Sequence, residues 1–370
     1  MPPSTEQPML SGVRILDLSR VLAGPLCTMI LGDLGADIIK VERPVVGDDT
    51  RGWGPPFDAS GRSAYYLSIN RNKLGIAADL DSAHDRELIG RLLREADVVV
   101  DNFRPGMLER RGLSPDRWCA ERPDLIWCTI TGFGLSSDRP GYDFVAQAEC
   151  GWMAITGDPS GDPMKAGVAL ADILAGKDAA IAVLGALVRK ARTGKGGRFS
   201  VSLADSARAA LVNVAQNALV SGRDAKRWGN AHPNLVPYEM FHAADREIVI
   251  AVGSDAQWVA CCRALGLDAL ADDPALATNV GRLAERERIV RAIAQRVGEK
   301  PAAYWAERLS RAGVPNGLVQ TVLEALRDTA ASPVTGVPPS VPGTIRFEPP
   351  GLDEHGSQIR AEGWGAFRGL

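Results

Sequence analysis

Residues 12–42, GVRILDLSRVLAGPLCTMILGDLGADIIKVE, decide the fold. Gly12–Leu18 is a short apolar run of the kind buried on both faces of a parallel sheet. Ala23-Gly24-Pro25 then opens a helix, with Pro25 in the first turn, where its missing N–H costs nothing. Gly35 supplies a left-handed stop, and Ala36–Glu42 reads as a second strand. A strand, a helix of about ten residues and a strand predict parallel pairing with a right-handed crossover. The turn between the first strand and the helix, Ser19-Arg-Val-Leu-Ala-Gly-Pro25, is not G-x-G-x-x-G. The unit is Rossmann-like without the NAD fingerprint, which counts against a nicotinamide enzyme.

Beyond residue 42 strands and helices keep alternating. Residues 63–73 are strand-like and then basic, ending in Arg71-Asn72-Lys73, where Arg71 and Lys73 are either phosphate ligands or a solvated turn. Glu87–Glu95 predicts an amphipathic helix, and Ala96–Asn102 and Leu125–Thr131 predict strands. Thr193-Gly-Lys-Gly-Gly197 is a turn that fails the P-loop spacing. Arg198–Leu203 alternates as a strand, and Ala204–Val220 is a long Ala-rich helix. Strands alternating with helices predict an α/β doubly wound domain, whose ligands collect at the carboxyl ends of the strands. From residue 225 the composition changes to loop, strand and helices. The expected organisation is a large domain over residues 1–203, a linker helix over 204–224, a smaller α+β domain over 225–318, and a segment, 319–370, that returns to the first domain.

The totals narrow the function. The 370 residues are 45% hydrophobic and 24% charged, with a net charge of −3. That is ordinary globular composition and no general nucleic-acid binder. An anionic ligand must therefore be held by local arginines and backbone amides. Six cysteines without a C-x-x-C pair read as reduced thiols of a cytoplasmic protein, and four scattered histidines give no metal site. The N-terminal octapeptide has neither a basic start nor an apolar core, so no secretory signal is read there; no apolar run is long enough to span a membrane.

One residue stands out chemically. In Gly167-Val-Ala-Leu-Ala-Asp-Ile-Leu-Ala-Gly176, Asp172 is alone among small apolar residues, just before a helical period of Ala179, Ala180, Val183, Leu184 and Leu187. One reading is a helix N-cap. The other is a carboxylate nucleophile, kept ionised by the helix N-terminus and by a low pKa. Arg43, Arg104 and Arg110 each follow a predicted strand, where guanidinium forks suit phosphate.

Several ordered motifs carry a resemblance. Residues 11–42, Asn70-Arg-Asn-Lys73, Asp101-Asn-Phe-Arg-Pro-Gly106, Gly132-Phe-Gly134, Gly141-Tyr-Asp143, the Asp172 decapeptide and Gly313-Val-Pro315 resemble the class III CoA-transferases over roughly residues 10–350. Gly47-Asp-Asp-Thr-Arg, Trp-Gly-Pro-Pro-Phe57, Ala225–His232 and Val236-Pro-Tyr238 look most like the succinyl-CoA:glutarate (dicarboxylate) branch. The resemblance makes Asp172 the nucleophile. It implies CoA contacts at Val21, Leu22, Ala23, Arg43, Asn72, Lys73, Asn102, Phe103, Arg104, Arg110, Gly132 and Phe133, and an interlocked homodimer of ring-like chains. Coenzyme A, as acyl-CoA substrate, is the only cofactor expected. The glycine-rich flap of the formyl-CoA branch is missing, and residues 352–370 match nothing in the family.

CoA transfer through an aspartyl anhydride needs oxyanion donors, for which Gly132 and Gly134 are candidates against plain turn geometry. A dicarboxylate acceptor wants a cation for its distal carboxylate. Arg51, Arg227 and His232 are the candidates, with Tyr238 and Tyr65 on the same substrate side. Two rivals remain at this point. Acyl-CoA racemases of the family place a His where this chain has Tyr142, whose ordinary pKa of about 10 makes a poor base. A CoA-binding subunit without catalysis is the other. Itaconate, mesaconate or citramalate stand beside glutarate as acceptors.

Overall fold

A computed structural model describes residues 7–369. The N-terminal octapeptide, apart from Gln7 and Pro8, lies outside the described residues. Two compact units form: residues up to 152, 165–223 and from 329 onward make the first, and 153–164 with 224–328 make the second. This differs from the sequence expectation in three places. Residues 204–223 belong with the first unit, residues 153–164 with the second, and the return begins at 329 rather than 319.

In the first unit, six parallel strands run in the order β3-β2-β1-β4-β5-β6. They are β1 Arg14–Asp17, β2 Asp37–Glu42, β3 Leu74–Ala77, β4 Val98–Asp101, β5 Ile126–Thr131 and β6 Gly197–Ser202. The helices are α1 Ala23–Asp33, α2 Ala64–Leu67, α3 Ala83–Glu95, α4 Pro115–Glu121, α5 Asp143–Glu149, α6 Leu170–Thr193, α7 Leu203–Ala209 and α8 Val212–Ser221. The two-residue period of the strands sorts their side chains into two cores. Ile15, Ile38, Val98, Val100, Cys128 and Ile130 face α1 and α6. Leu16, Ile39, Val99 and Trp127 face α3 on the other side.

Two local expectations change. The strand-like stretch after Ser63 is the single turn α2, because the Ser63 hydroxyl accepts the amide of Tyr65 and starts a helix. The strand follows it, at β3. The long helix expected over 204–220 is broken into α7 and α8 around Ala210–Leu211.

β3 is an edge strand, and the chain's own tail closes it. His355 donates its amide to Gly75 O and accepts Gly75 N–H on Nδ1, while Asp353 accepts Ala77 N–H. Ile359, in the helix Gly356–Glu362, and Trp364 fill the second core. Residues 352–369, on which the sequence was silent, are thus an edge cover.

The second unit is a three-stranded antiparallel sheet, β7 Tyr238–His242, β8 Glu247–Ala251 and β9 Asn316–Leu318. Helices α9 Asp255–Leu265, α10 Arg286–Val297 and α11 Ala302–Arg311 pack on it around Trp258 and Trp305. All six cysteines are free, with only Cys119 not fully buried. Among the described residues no helix is long and apolar enough to cross a membrane.

Candidate active site

The strand order reverses between β1 and β4, and the loops leaving β1, β4 and β5 part there into a crevice. It holds a cavity of about 160 Å³ lined by Val21–Ala23, Asn102–Pro105, Thr131–Gly132, Tyr142 and Asp172. That is below the roughly 300–1,000 Å³ of a pocket for a drug-sized ligand. It suits the reacting end of a long substrate, with the remainder lying across the strand ends.

Buried charges make the crevice loops rigid. Asp17 accepts from Ser19 Oγ, Thr28 Oγ1 (2.6 Å) and Lys73 Nζ (3.0 Å). Burial alone would raise the Asp17 pKa, but Lys73 and then Lys40 outweigh it and hold it down to about 2. Lys40 ties Ser19 O to Asp48, and Asp48 in turn accepts the amide of Val21 (3.2 Å). Val21 sits at φ 71°, a left-handed conformation costing a β-branched residue about 1–3 kcal/mol, at the lip of the cavity.

Close backbone approach brings Asp172 to the crevice. A Cβ on Gly176 would lie 2.6 Å from Ala23 O, so only glycine lets α6 pack against the start of α1. Gly132 and Gly141 meet in the same way, a Cβ on Gly132 falling 2.5 Å from Gly141 Cα. That contact lays Gly141-Tyr-Asp143 beside the end of β5 and starts α5 next to α6.

Asp172 is therefore not the cap of α6. It is the third residue of the helix, and Ala169 at the N-cap has no capping side chain. Asp143 caps from outside: its Oδ1 accepts the amides of Ala171 (2.8 Å) and Asp172 (3.4 Å), and its Oδ2 accepts Gln147 Nε2 (2.7 Å). The Asp172 carboxyl makes no hydrogen bond or ion pair among the described residues and stands open to the cavity. Its pKa is not low. Burial, and then the Asp143 charge, push it up to about 7. Tyr65, half-buried, has its phenol pushed up to about 12 by burial and then by Asp172 and Asp143. It therefore remains a neutral O–H donor close to Asp172.

Val21, Leu22, Ala23, Asn102, Phe103, Arg104, Gly132 and Asp172 all line the cavity. Other candidates have different tasks. Asn102 joins two loops with its side chain, donating to Arg20 O (2.7 Å) and accepting Arg20 N–H (3.0 Å). Lys73 is wholly buried, its ammonium spent on Asp17, Pro25 O and Asn70. Asn72, also wholly buried, holds Asp33, Thr344 O and the amides of Arg346 and Phe347. Neither side chain is free for a phosphate, and this corrects the expectation for both. Arg71 is likewise paired with Asp33. Arg43 pairs with Asp49, whereas Arg104 and Arg110 make no ion pair among the described residues. Phe133 lies under the Arg139 guanidinium, 4.3 Å from ring centroid to carbon.

The oxyanion and acceptor candidates change as well. The Gly134 amide already donates to Thr131 Oγ1 (2.9 Å), leaving Gly132 of the pair. Arg51 is sequestered by a bidentate pair with Glu42 (2.7 Å each), by Tyr66 Oη and by Pro350 O, so it is no free cation. In the second unit, Arg227 donates to Asp158 O (3.0 Å) and Gly161 O (2.8 Å). His232 is not cationic: burial and then Arg286 lower its pKa, and its Nδ1 accepts the amide of Asn234 (3.0 Å). That leaves the proton on Nε2. Tyr238 packs on His232, ring centroids 5.1 Å apart.

The family model for CoA-transferase family III matches residues 10–337. The chain belongs to that family. Among relatives of this family III CoA-transferase, the succinate–glutarate CoA-transferase of Agrobacterium fabrum is 46% identical over 291 residues, 76% of this chain and 73% of that protein. The human succinyl-CoA:glutarate CoA-transferase is 42% identical over 316 residues, 85% of this chain and 72% of that protein. A CAIB/BAIF family protein from Brucella suis has a solved structure similar to this one, with a TM-score of 0.87 and 40% identity, covering 96% of this chain and 100% of that one.

Two arginines of the CoA-transferase's cavity carry no signal in its sequence: Arg20, which pairs with Asp49, and Arg139, which pairs with Glu149; Tyr142, where racemases of the family have His, is a wall of the cavity. In the sequence Asp143 is only the end of the motif Gly141-Tyr-Asp143. Its capping partner lies 29 residues away along the chain, beyond the reach of any local pattern.

Proposed function

We propose that this enzyme moves CoA from succinyl-CoA to glutarate through covalent intermediates on Asp172. The unpaired Asp172 carboxyl in a crevice at the strand ends carries this reading. The relatives' names supply the acid pair.

In the first step an Asp172 oxygen attacks the thioester carbonyl of succinyl-CoA. The C–S bond breaks, giving an aspartyl–succinyl anhydride and CoA thiolate. The thiolate attacks the aspartyl carbonyl, succinate leaves with the C–O electron pair, and an aspartyl-CoA thioester remains. A glutarate carboxylate then repeats the two steps in reverse order. Protons balance without a base, provided Asp172 starts ionised; with a pKa near 7 a substantial fraction is so at neutral pH. Splitting the exchange keeps the thioester energy in covalent bonds.

Negative charge develops on the attacked oxygen at each step. The first turn of α1, at the cavity wall, favours it, with the Gly132 amide as a further donor. Arg104 and Arg110 are unpaired cations suited to CoA phosphates. Val21, Leu22 and Ala23 surround the thioester. Tyr65 offers a neutral donor to the acid. Two copies of the chain form the working homodimer. Six free thiols suit a reducing compartment such as the cytoplasm.

Incubation with succinyl-CoA, then hydroxylamine or borohydride, should leave a mass change on the Asp172 peptide that Asp172→Asn abolishes. A screen of acceptor acids should rank glutarate above itaconate, mesaconate and citramalate. No adduct on Asp172 would sink the mechanism, and a different ranking would sink the acid assignment.

A further inference from the structure

Gln147, on α5, is wholly buried, and both ends of its amide are occupied. Nε2 donates to Asp143 Oδ2 (2.7 Å), with Val168 O at 3.4 Å, and Oε1 accepts the amide of Ala166 (2.8 Å). These partners are the two pieces of structure that hold the nucleophile: the capping carboxylate of α6, and the segment that leads into α6. A buried amide is tolerated only when its hydrogen bonds are made, so this set fixes one arrangement of all three groups.

We propose that Gln147 is a positioning residue for CoA transfer: it locks Asp143 in the rotamer that presents one oxygen to the amides of Ala171 and Asp172, and so fixes the Asp143 charge and the Asp172 backbone together. The inference rests on the reading of Asp172 as nucleophile. A fixed anion beside Asp172 makes its carboxylate more basic. A more basic carboxylate attacks a carbonyl faster and is expelled from its own anhydride more slowly. Pinning both sides of the first turn of α6 restricts the angle of attack. Of the other charged and titratable groups around Asp172, Arg20 is paired with Asp49, which also lines the cavity, and Arg139 with Glu149. Arg104, Tyr65 and Tyr142 complete the set, and none of them touches Gln147.

The test uses the full-length enzyme with Gln147→Met, which keeps length but not hydrogen bonding, and Asp143→Asn, which keeps shape but not charge. The Asp172 carboxyl is followed by carbon-13 NMR, its resonance assigned with Asp172→Asn, and turnover is measured with succinyl-CoA and glutarate. Both variants should lower the Asp172 midpoint from its value of about 7 and shift the acid limb of the pH profile with it. Turnover should fall roughly 10–100-fold while KM for succinyl-CoA stays within about threefold. Should the methionine variant not fold, Gln147→Asn, with the amide kept but too short to span, supplies the same reading. An unchanged midpoint and pH profile in the Gln147 variants, with only stability reduced, overturns the proposal. A shift in Asp143→Asn alone overturns it too. A wild type without CoA exchange refutes the function instead, and the carboxyl titration still decides the role of Gln147.

Discussion

Asp172→Asn should stabilise this protein, and do so more as pH rises. In the folded chain Asp172 holds its proton up to about pH 7, against an ordinary value of 3.8. Between those values the native state carries a proton that the unfolded chain has released. A group whose folded pKa is raised gives stability that is complete below its unfolded pKa and is lost as pH climbs to the folded one. At about 1.4 kcal/mol per pH unit, the full loss for wild type is on the order of 4 kcal/mol. About 2.5 kcal/mol of it falls between pH 5 and pH 8. Asparagine has the same shape and no charge, so it escapes this loss. Urea denaturation of both proteins at pH 5 and pH 8, at one protein concentration, reads the difference. Every other titrating group is common to the two chains and cancels. The gap should widen by about 2.5 kcal/mol toward pH 8. A gap constant to within about 0.5 kcal/mol would show that Asp172 titrates like a solvated carboxylate, and the dry, anion-flanked site would be refuted.

Arg104→Ala should raise KM for succinyl-CoA about tenfold, an effect that fades at high salt, whereas Arg43→Ala, whose guanidinium already serves Asp49, should change it less than about threefold. Steady-state kinetics at two ionic strengths separates them, and equal effects would refute the division of labour. Lys73→Met should leave Asp17 buried without its partner and cost about 3–5 kcal/mol in urea denaturation, with little change in KM for the folded fraction. A large rise in KM with stability intact would return Lys73 to the ligand set. Truncation after Gly351 should uncover the edge of β3 and the site of Trp364, giving a lower melting point and concentration-dependent association in light scattering. A truncated chain with unchanged melting and scattering would contradict the edge-cover reading.

Much of the first unit was legible because local physics agrees with the fold. Gly12–Glu42 announces strand, helix and strand by apolar runs, Pro25 and Gly35, and all three occur near their expected bounds. The β3 strand escaped notice since Leu74-Gly-Ile-Ala77 is short and glycine-bearing; it is held by β2 and the tail rather than by propensity. Asp172 was legible as an anomaly, a lone carboxylate among small residues. Its protonation was not, because it comes first from burial and then from the Asp143 charge, which arrives through the Gly132–Gly141 contact. Basic residues were the hardest to sort. Lys73, Arg51 and Arg104 look alike as letters, yet Asp17 and Glu42 claim the first two, and such claims are made only by tertiary pairing.

The tail that lies along β3 also has a schedule. All six strands of the parallel sheet have been synthesised once residue 202 is made, but Asp353 and His355 are synthesised only after the whole second unit. At about 5–20 residues per second, the interval is on the order of ten seconds. Throughout it the nascent sheet has an open edge and lacks Ile359 and Trp364 from one of its cores. This enzyme is therefore exposed to misassembly late in translation, when most of its chain already exists, and its yield in a cell depends on how quickly residues 203–352 are read.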